Sequence, residues 1–481
     1  MLPSRLIALA LLCLAVRVAA ADARGFSAGA HAQDITPTNF PAPVNGGMKG
    51  AFATKVTDPM HARAVALSNG PTTLIFCVVD SCLIPREICE SAKAIAARAT
   101  GVPAAQMLVS ATHSHSCAAM TPAFQSDPDP GYLHTLPARI AEALIRAYRN
   151  LEPAEIAWGK DSDPTQVFNR RWFMKPDQTY ENPFDSTADR ALMNPGFKSP
   201  RVSHPTGPVD PEVSLLAVRA KSDRRPIAVL GNYSLHYVGN VPAISADYFA
   251  AFAREMGRRL GAGDARYSGK PAFVGIMSNG TSGNINNADY ANPAPERSQP
   301  GEKIEIVARS VADAAMRAWE KLKWQSDLVM ASRERDLSLG VRKATAPELE
   351  RARRIVASTP RDKDGQFSDR KAIYAREAIA LDAYPDQVPV KLQVHRLGRL
   401  TVAAIPCEVF VEIGLDLKKT KPLDDHFTIS LANGYNGYLP TPEHHRLGGY
   451  ETWRARSSYL ETEASTIITR NLKEMLAEVA R

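Results

Sequence analysis

Short apolar runs alternate with amphipathic segments along this chain, and several runs stop at a polar residue able to do chemistry. Residues 72–80 (TTLIFCVVD) form a near-continuous apolar stretch, as expected of a strand buried on both faces. A helix is predicted over 86–98, then an apolar strand over 107–109 that runs into Ser110, His113, His115 and Cys117. Leu136, Ile140, Leu144 and Tyr148 recur at helical spacing. Residues 155–160 read as a short strand, and 161–211 as a long polar excursion rich in Pro, Asn and Arg. Loops of that length usually serve function, and Phe168, Trp172, Phe173 and Met174 make it a candidate acyl-chain groove. A strand over 226–236 ends in His236, and Phe249, Phe252, Met256 and Leu260 mark the helix after it. The strand over 272–277 stops at the small polar residues of 278–284.

The same pattern continues to the end of the chain. A helix is expected over 304–322, an extended segment over 328–341, and a charged, helical, peripheral insertion over 346–381 broken by a turn at 362–367. Residues 388–395 and 400–405 make a hairpin that ends at Glu408. A helix over 409–417, a strand over 427–432 running into Tyr438, and a helix over 459–479 complete the order. Strands alternating with helices predict an α/β fold of mixed β-sheets layered with helices. The apolar strands would carry a metal site at their C-terminal ends.

Composition changes this picture little. At 481 residues, 44% hydrophobic and 23% charged, the chain is an ordinary globular protein. No linker is evident, so residues 21–481 are read as a single domain. Residues 1–20 resemble an export signal: Arg5, an apolar core over 6–16, then Val18, Ala19 and Ala20. No later run is long enough to span a membrane, so the mature protein is expected to be periplasmic or secreted. Its basic residues are scattered without aromatic interleaving, which argues against a nucleic-acid partner. Five cysteines lie beyond the signal, enough for at most two bridges and one free thiol.

Residues two apart on a strand face the same way, so His113 and His115 would project side by side. Two ligands do not close a metal site, but His236 and Glu408 stand at other strand ends. Two histidines and a carboxylate are a common ligand set for hydrolytic zinc, leaving a position open for water. Glu408 alone is equally a carboxylate at a helix N-terminus, and Tyr438 alone an interfacial tyrosine.

The blocks Asp58-Pro-Met-His-Ala-Arg63, Ser110-Ala-Thr-His-Ser-His-Ser116, Asn169-Arg170, Pro208-Val-Asp-Pro-Glu212, Pro406-Cys-Glu408 and Tyr435-Asn-Gly-Tyr438 resemble those of the neutral/alkaline (non-lysosomal) ceramidases. They occur in that family's order over residues 30–470. The likeness is to the catalytic domain; the larger members carry a further C-terminal immunoglobulin-like domain, for which no residues are left here. The resemblance implies a zinc amidase with one Zn2+ per chain, acting on the N-acyl bond of ceramide or a related N-acyl lipid at a membrane surface. It implies that His113, His236, Glu408 and Tyr438 ligate zinc. It also implies that His115 contacts the scissile amide, that Arg170 and Tyr450 line the substrate site, and that Ser282 is the essential serine.

Two departures bear on substrate. The family's serine lies in a Gly-Asp-x-Ser-Pro-Asn context, whereas this chain has Asn279-Gly-Thr-Ser-Gly-Asn284, with Thr281 as a competing hydroxyl. Around Tyr450 it has Gly448-Gly-Tyr-Glu451 in place of a Gln-rich segment. Among rival readings, an amidohydrolase-type site would need a later Lys, further His and a terminal Asp. A metal-free serine hydrolase would need the GxSxG elbow, which Ser282 lacks. An exported binding protein that has lost the chemistry is the remaining alternative, as is a relative acting on a non-sphingolipid amide.

Overall fold

The computed structural model describes residues 25–239, 241, 243–296 and 298–481. The export signal expected over 1–20 lies outside the described residues. Eight strands make the larger sheet: β1 (Ser27–Asp34), β2 (His61–Ser68), β3 (Thr73–Val79), β4 (Met107–Ala111), β5 (Glu152–Ser162), β6 (Glu212–Ala220), β7 (Pro226–Tyr233) and β8 (Val274–Asn279). Their spatial order is β8-β7-β6-β5-β1-β2-β3-β4. The smaller sheet runs β9 (Met330–Gly340), β10 (Gln387–Leu397), β11 (Leu400–Ala404), β12 (Asp425–Ile429) in sequence order.

Three strand pairs in these two sheets are parallel, and each is joined through a helix, as parallel pairing requires. β3 and β4 are connected by α1 (Arg86–Thr100), β7 and β8 by α3 (Asp247–Arg259), and β11 and β12 by α7 (Val411–Thr420). The first two units occupy opposite edges of the larger sheet. The segment after β12 stitches those edges together. Leu431 O accepts from Ala111 N at 3.0 Å, Asn433 N donates to Val109 O at 2.7 Å, and Ser430 N donates to Asn279 O at 3.0 Å. The C-terminal ends of all three units therefore converge.

Side-chain alternation explains the layering. In β3, Leu74, Phe76 and Val78 face an inner core shared with Val402, Ala404, Phe427 and Ile429 of the smaller sheet. Ile75, Cys77 and Val79 face the other way, against α1 and α2 (Pro130–Arg149). α3 and α4 (Glu302–Trp319) cover the other half of that outer face. α7 and the C-terminal helix Ala464–Ala480 cover the smaller sheet. The result is helices, sheet, sheet, helices: the α/β layering expected. Because both faces of β3 are buried, its sequence reads as one apolar run.

Several expectations need correction. The 161–211 excursion is not a bare loop: Arg171–Met174, Ala191–Met193 and Val202–Pro205 form a three-stranded sheet. Its aromatics act as anchors there, with Trp172 and Met174 buried and the Phe173 ring 4.9 Å from His204. The 346–381 insertion forms two helices, α5 (Ala346–Ser358) and α6 (Arg370–Asp382), and it is not peripheral. Buried Tyr374 meets Trp453 at 5.5 Å between centroids, and buried Glu377 accepts from Arg456 at 2.7 Å. All five described cysteines are free and buried, so no bridge forms among them.

Phe427 lies between the two sheets, almost fully buried. Phe427→Ala is expected to cost about 3–5 kcal/mol, read as a lower urea midpoint with an unchanged m-value.

Candidate metal centre

β4 ends at Ala111, and the chain then turns sharply. His113 has φ 73°, a left-handed conformation that costs a non-glycine residue roughly 1–3 kcal/mol. Neighbours hold it there: His113 N donates to Ser81 O at 2.8 Å, and Ser114 Oγ donates to Ser245 O at 2.8 Å. The expectation that His113 and His115 project side by side from a strand is therefore wrong. Their rings meet edge to face, 85° apart, with the two Nε2 atoms at 3.2 Å.

The left-handed turn aims His113 at His236, which follows β7, and at Glu408, which follows β11. His113 Nε2 lies 3.1 Å from Glu408 Oε2, and His236 Nε2 lies 3.6 Å from the same oxygen. All three side chains are buried. Each histidine is oriented by a backbone carbonyl on its other nitrogen: His113 Nδ1 donates to Cys82 O at 2.9 Å, His236 Nδ1 to Ser282 O at 2.7 Å. That fixes the tautomer, leaving both Nε2 lone pairs facing a carboxylate oxygen that has no hydrogen-bond donor.

Three acceptors sealed from water around one point call for positive charge. Burial alone would depress the His113 pKa, but Glu408 and Cys82 outweigh it and hold it well above the ordinary value. Burial would likewise raise Glu408, and the two histidines hold it well below the carboxylate range. In the absence of a cation, a proton serves this pair; a divalent ion fits the same donor set in its place. Burial and the Arg170 charge bring His236 down to about 3.

Glu408 is not a helix cap. Its other oxygen accepts from Tyr435 Oη at 3.0 Å, and its backbone pairs in parallel with Tyr438. Tyr438 therefore stands beside it, with Oη accepting from Arg170 Nη2 at 3.1 Å. Arg170 is also held by Glu451 Oε1 at 3.1 Å and Gly283 O at 2.8 Å, and its Nη1 lies 3.2 Å from His236 Nε2. Tyr450 sits edge-on to Tyr438 at 5.9 Å, its pKa raised by burial. Ser282 Oγ donates to Asn279 Oδ1 at 2.7 Å, while Thr281 packs against Gly414. His115 is clamped between the Tyr237 ring, stacked at 3.8 Å, and Gly46. A Cβ at Gly46 would lie 2.4 Å from the His115 ring. Burial, then the two neighbouring histidines, push the His115 pKa well below its ordinary value.

The structure thus gathers His113, His115, His236, Glu408, Tyr438, Arg170 and Tyr450, and it sets Ser282 directly behind His236. Sequence reasoning missed Glu451, Tyr237 and Cys82. Glu451 binds Arg170 and also Arg171, at 2.6 Å. Cys82 Sγ lies 3.7 Å from His113 Nδ1, so the thiol at the site is Cys82 and not Cys117. The adjacency of Glu451 to Tyr450 and of Tyr237 to His236 was the available signal.

No protein-family model and no curated protein matches the sequence. The fold does match solved structures. Neutral ceramidase from Pseudomonas aeruginosa is similar at a TM-score of 0.70 and 15% identity, over 95% of this chain and 75% of that chain. A ceramidase complexed with C2 is similar at 0.68 and 14%, with the same coverage. The protein has the ceramidase fold, with a candidate metal-binding cluster of two histidines and a glutamate. Among the described residues no helix is long and apolar enough to cross a membrane.

The Ser282–Gly283 turn is pressed against the Glu408 strand: a Cβ on Gly283 would fall 2.5 Å from Glu408 O. Gly283→Ala is expected to push these apart and weaken divalent-metal affinity by about 10- to 100-fold. Competition against a chromophoric chelator measures this, and unchanged affinity would refute the packing argument.

Proposed function

We propose that this chain is an exported zinc-dependent amidase that hydrolyses the N-acyl bond of ceramide or a related N-acyl lipid, with residues 21–481 as one catalytic domain. The observation that carries the reading is the buried convergence of His113 Nε2, His236 Nε2 and Glu408 Oε2, in a fold shared with neutral ceramidase. Export is supported by the charge, apolar core and small residues of positions 1–20. His113, His236 and Glu408 would hold one zinc ion, with Tyr438 as fourth ligand. A bound zinc ion supplies Lewis acidity to the amide carbonyl and to water.

The remaining residues act around that point. His115, kept neutral by burial and the neighbouring histidines, would contact the scissile amide as an uncharged imidazole beside the metal position. Arg170, fixed by Glu451, and Tyr450 present donors to the oxyanion that develops on the carbonyl, worth a few kcal/mol per well-aimed group. Ser282 Oγ gives its proton to an amide oxygen, which is no general base, so Ser282 serves better as an acceptor or positioning group than as a nucleophile. A cavity of about 350 Å³ reaches His115, lined by Gly46, Ala51, Phe52, His115, Tyr237 and Val241. The 42–53 hairpin therefore flanks the substrate passage, while the 161–211 excursion contributes Arg170.

Purified protein is expected to carry about one equivalent of zinc and to lose hydrolysis of a fluorescent ceramide on chelation. His113→Ala and Glu408→Ala should each lose both metal and turnover. Ser282→Ala should keep its metal while turnover falls by about 10²–10³-fold. A panel of N-acyl substrates separates ceramide from other amides, and metal-replete protein inert towards all of them would overturn the reading.

A further inference from the structure

The outer side of the hairpin that flanks the passage is unusual for a water-facing surface. Phe52 is 62% exposed, and Phe40 and Val56 are each 40% exposed, so half of the six exposed large apolar residues among those described fall within 40–56. Hairpin register sets Phe52 opposite Pro43, and Phe40 and Val56 follow just beyond the paired residues Ala42 and Ala53. The charge pattern is equally one-sided: residues 35–57 contain Lys49 and Lys55 and no acidic residue. Lys49 is tied to Asp362 at 3.1 Å and to Ser368 at 2.7 Å, while Lys55 is exposed beside Val56.

Aromatic and branched side chains flanked by lysine suit the boundary between headgroups and acyl chains of an anionic bilayer. The same hairpin contributes Ala51 and Phe52 to the cavity that reaches His115. A lipid leaving a bilayer at the hairpin would enter that cavity without crossing open water. The loop is braced for such a contact. Gln366 accepts from Gly50 N at 2.9 Å, and Gln125 donates to Met48 O at 3.2 Å.

We infer that the 40–56 segment is a docking surface for bilayers carrying anionic phospholipid, placing the passage to His115 against the lipid. The inference rests on the proposed N-acyl lipid substrate, but its test does not require turnover. Cosedimentation of the full chain with vesicles of phosphatidylcholine, or of phosphatidylcholine mixed with phosphatidylglycerol, compares wild type with the Phe40→Ser/Lys55→Glu/Val56→Ser variant. Wild type is expected to prefer the anionic vesicles, and the variant to bind them about tenfold more weakly or worse, since each lysine near an anionic surface and each lost apolar anchor counts separately. Circular dichroism and the thermal midpoint check that the variant folds. The variant should hydrolyse a water-soluble short-chain N-acyl substrate as wild type does and lose rate only on vesicle-embedded substrate.

Equal sedimentation of the two proteins, or none by either, would overturn the docking surface even if hydrolysis were intact. Hairpin-dependent sedimentation by a protein that hydrolyses no N-acyl compound would leave the surface standing and remove the catalytic reading. A wild-type dimer that the variant dissociates, seen by sedimentation velocity, would make this face a contact between copies and overturn the proposal.

Discussion

Two imidazole lone pairs and a carboxylate oxygen, closed off from water and facing one another, are the constraint around which this molecule is arranged. Left alone they are costly, because three acceptors crowd a low-dielectric pocket and Glu408 Oε2 finds no donor, while His236 Nε2 has only Arg170 Nη1 at 3.2 Å. A proton between His113 and Glu408 relieves part of that cost, and a divalent cation relieves more by serving all three groups at once. The carbonyls of Cys82 and Ser282 prevent the histidines from escaping by changing tautomer. The site is thus held ready for a cation by hydrogen bonds on its far side.

The architecture explains how residues so distant in sequence come to share one point. Three parallel strand–helix–strand units each carry chemistry at the C-terminal ends of their strands, where ligands gather in open α/β sheets. Two of those units sit at opposite edges of one sheet and would be far apart if it lay flat. Ser430, Leu431 and Asn433 join the edges through backbone hydrogen bonds, and Leu431 and Asn433 adopt φ values of 54° and 62° to do so. Together with His113, they locate backbone strain close to the cluster, the usual place for it in a functional fold.

Much of this was legible in the chain. Near-continuous apolar runs marked β3, β7 and β11, because both faces of those strands are buried, and helical spacing marked α2 and α3, because each packs one face against a core. His113, His236 and Glu408 stood out because each ends an apolar run. Other features were hidden for physical reasons. The left-handed backbone at His113 depends on Ser81 and Ser245, residues 32 and 132 positions away, and no local pattern encodes it. Glu451 reads as a surface carboxylate until Arg170 and Arg171 arrive from the 161–211 excursion. Trp172 and Phe173 of that excursion suggested a groove, yet they belong to its own small sheet, since aromatic content alone does not distinguish anchors from lining.

Anomalous diffraction above and below the zinc absorption edge, on crystals of protein that keeps the metal acquired during expression, tests the central claim most directly. The account predicts one zinc peak at ligand distance from His113 Nε2, His236 Nε2 and Glu408, with both Nδ1 atoms still bonded to the Cys82 and Ser282 carbonyls. A zinc peak elsewhere, or a metal-replete crystal in which His113 and Glu408 remain paired with no peak between them, would contradict it.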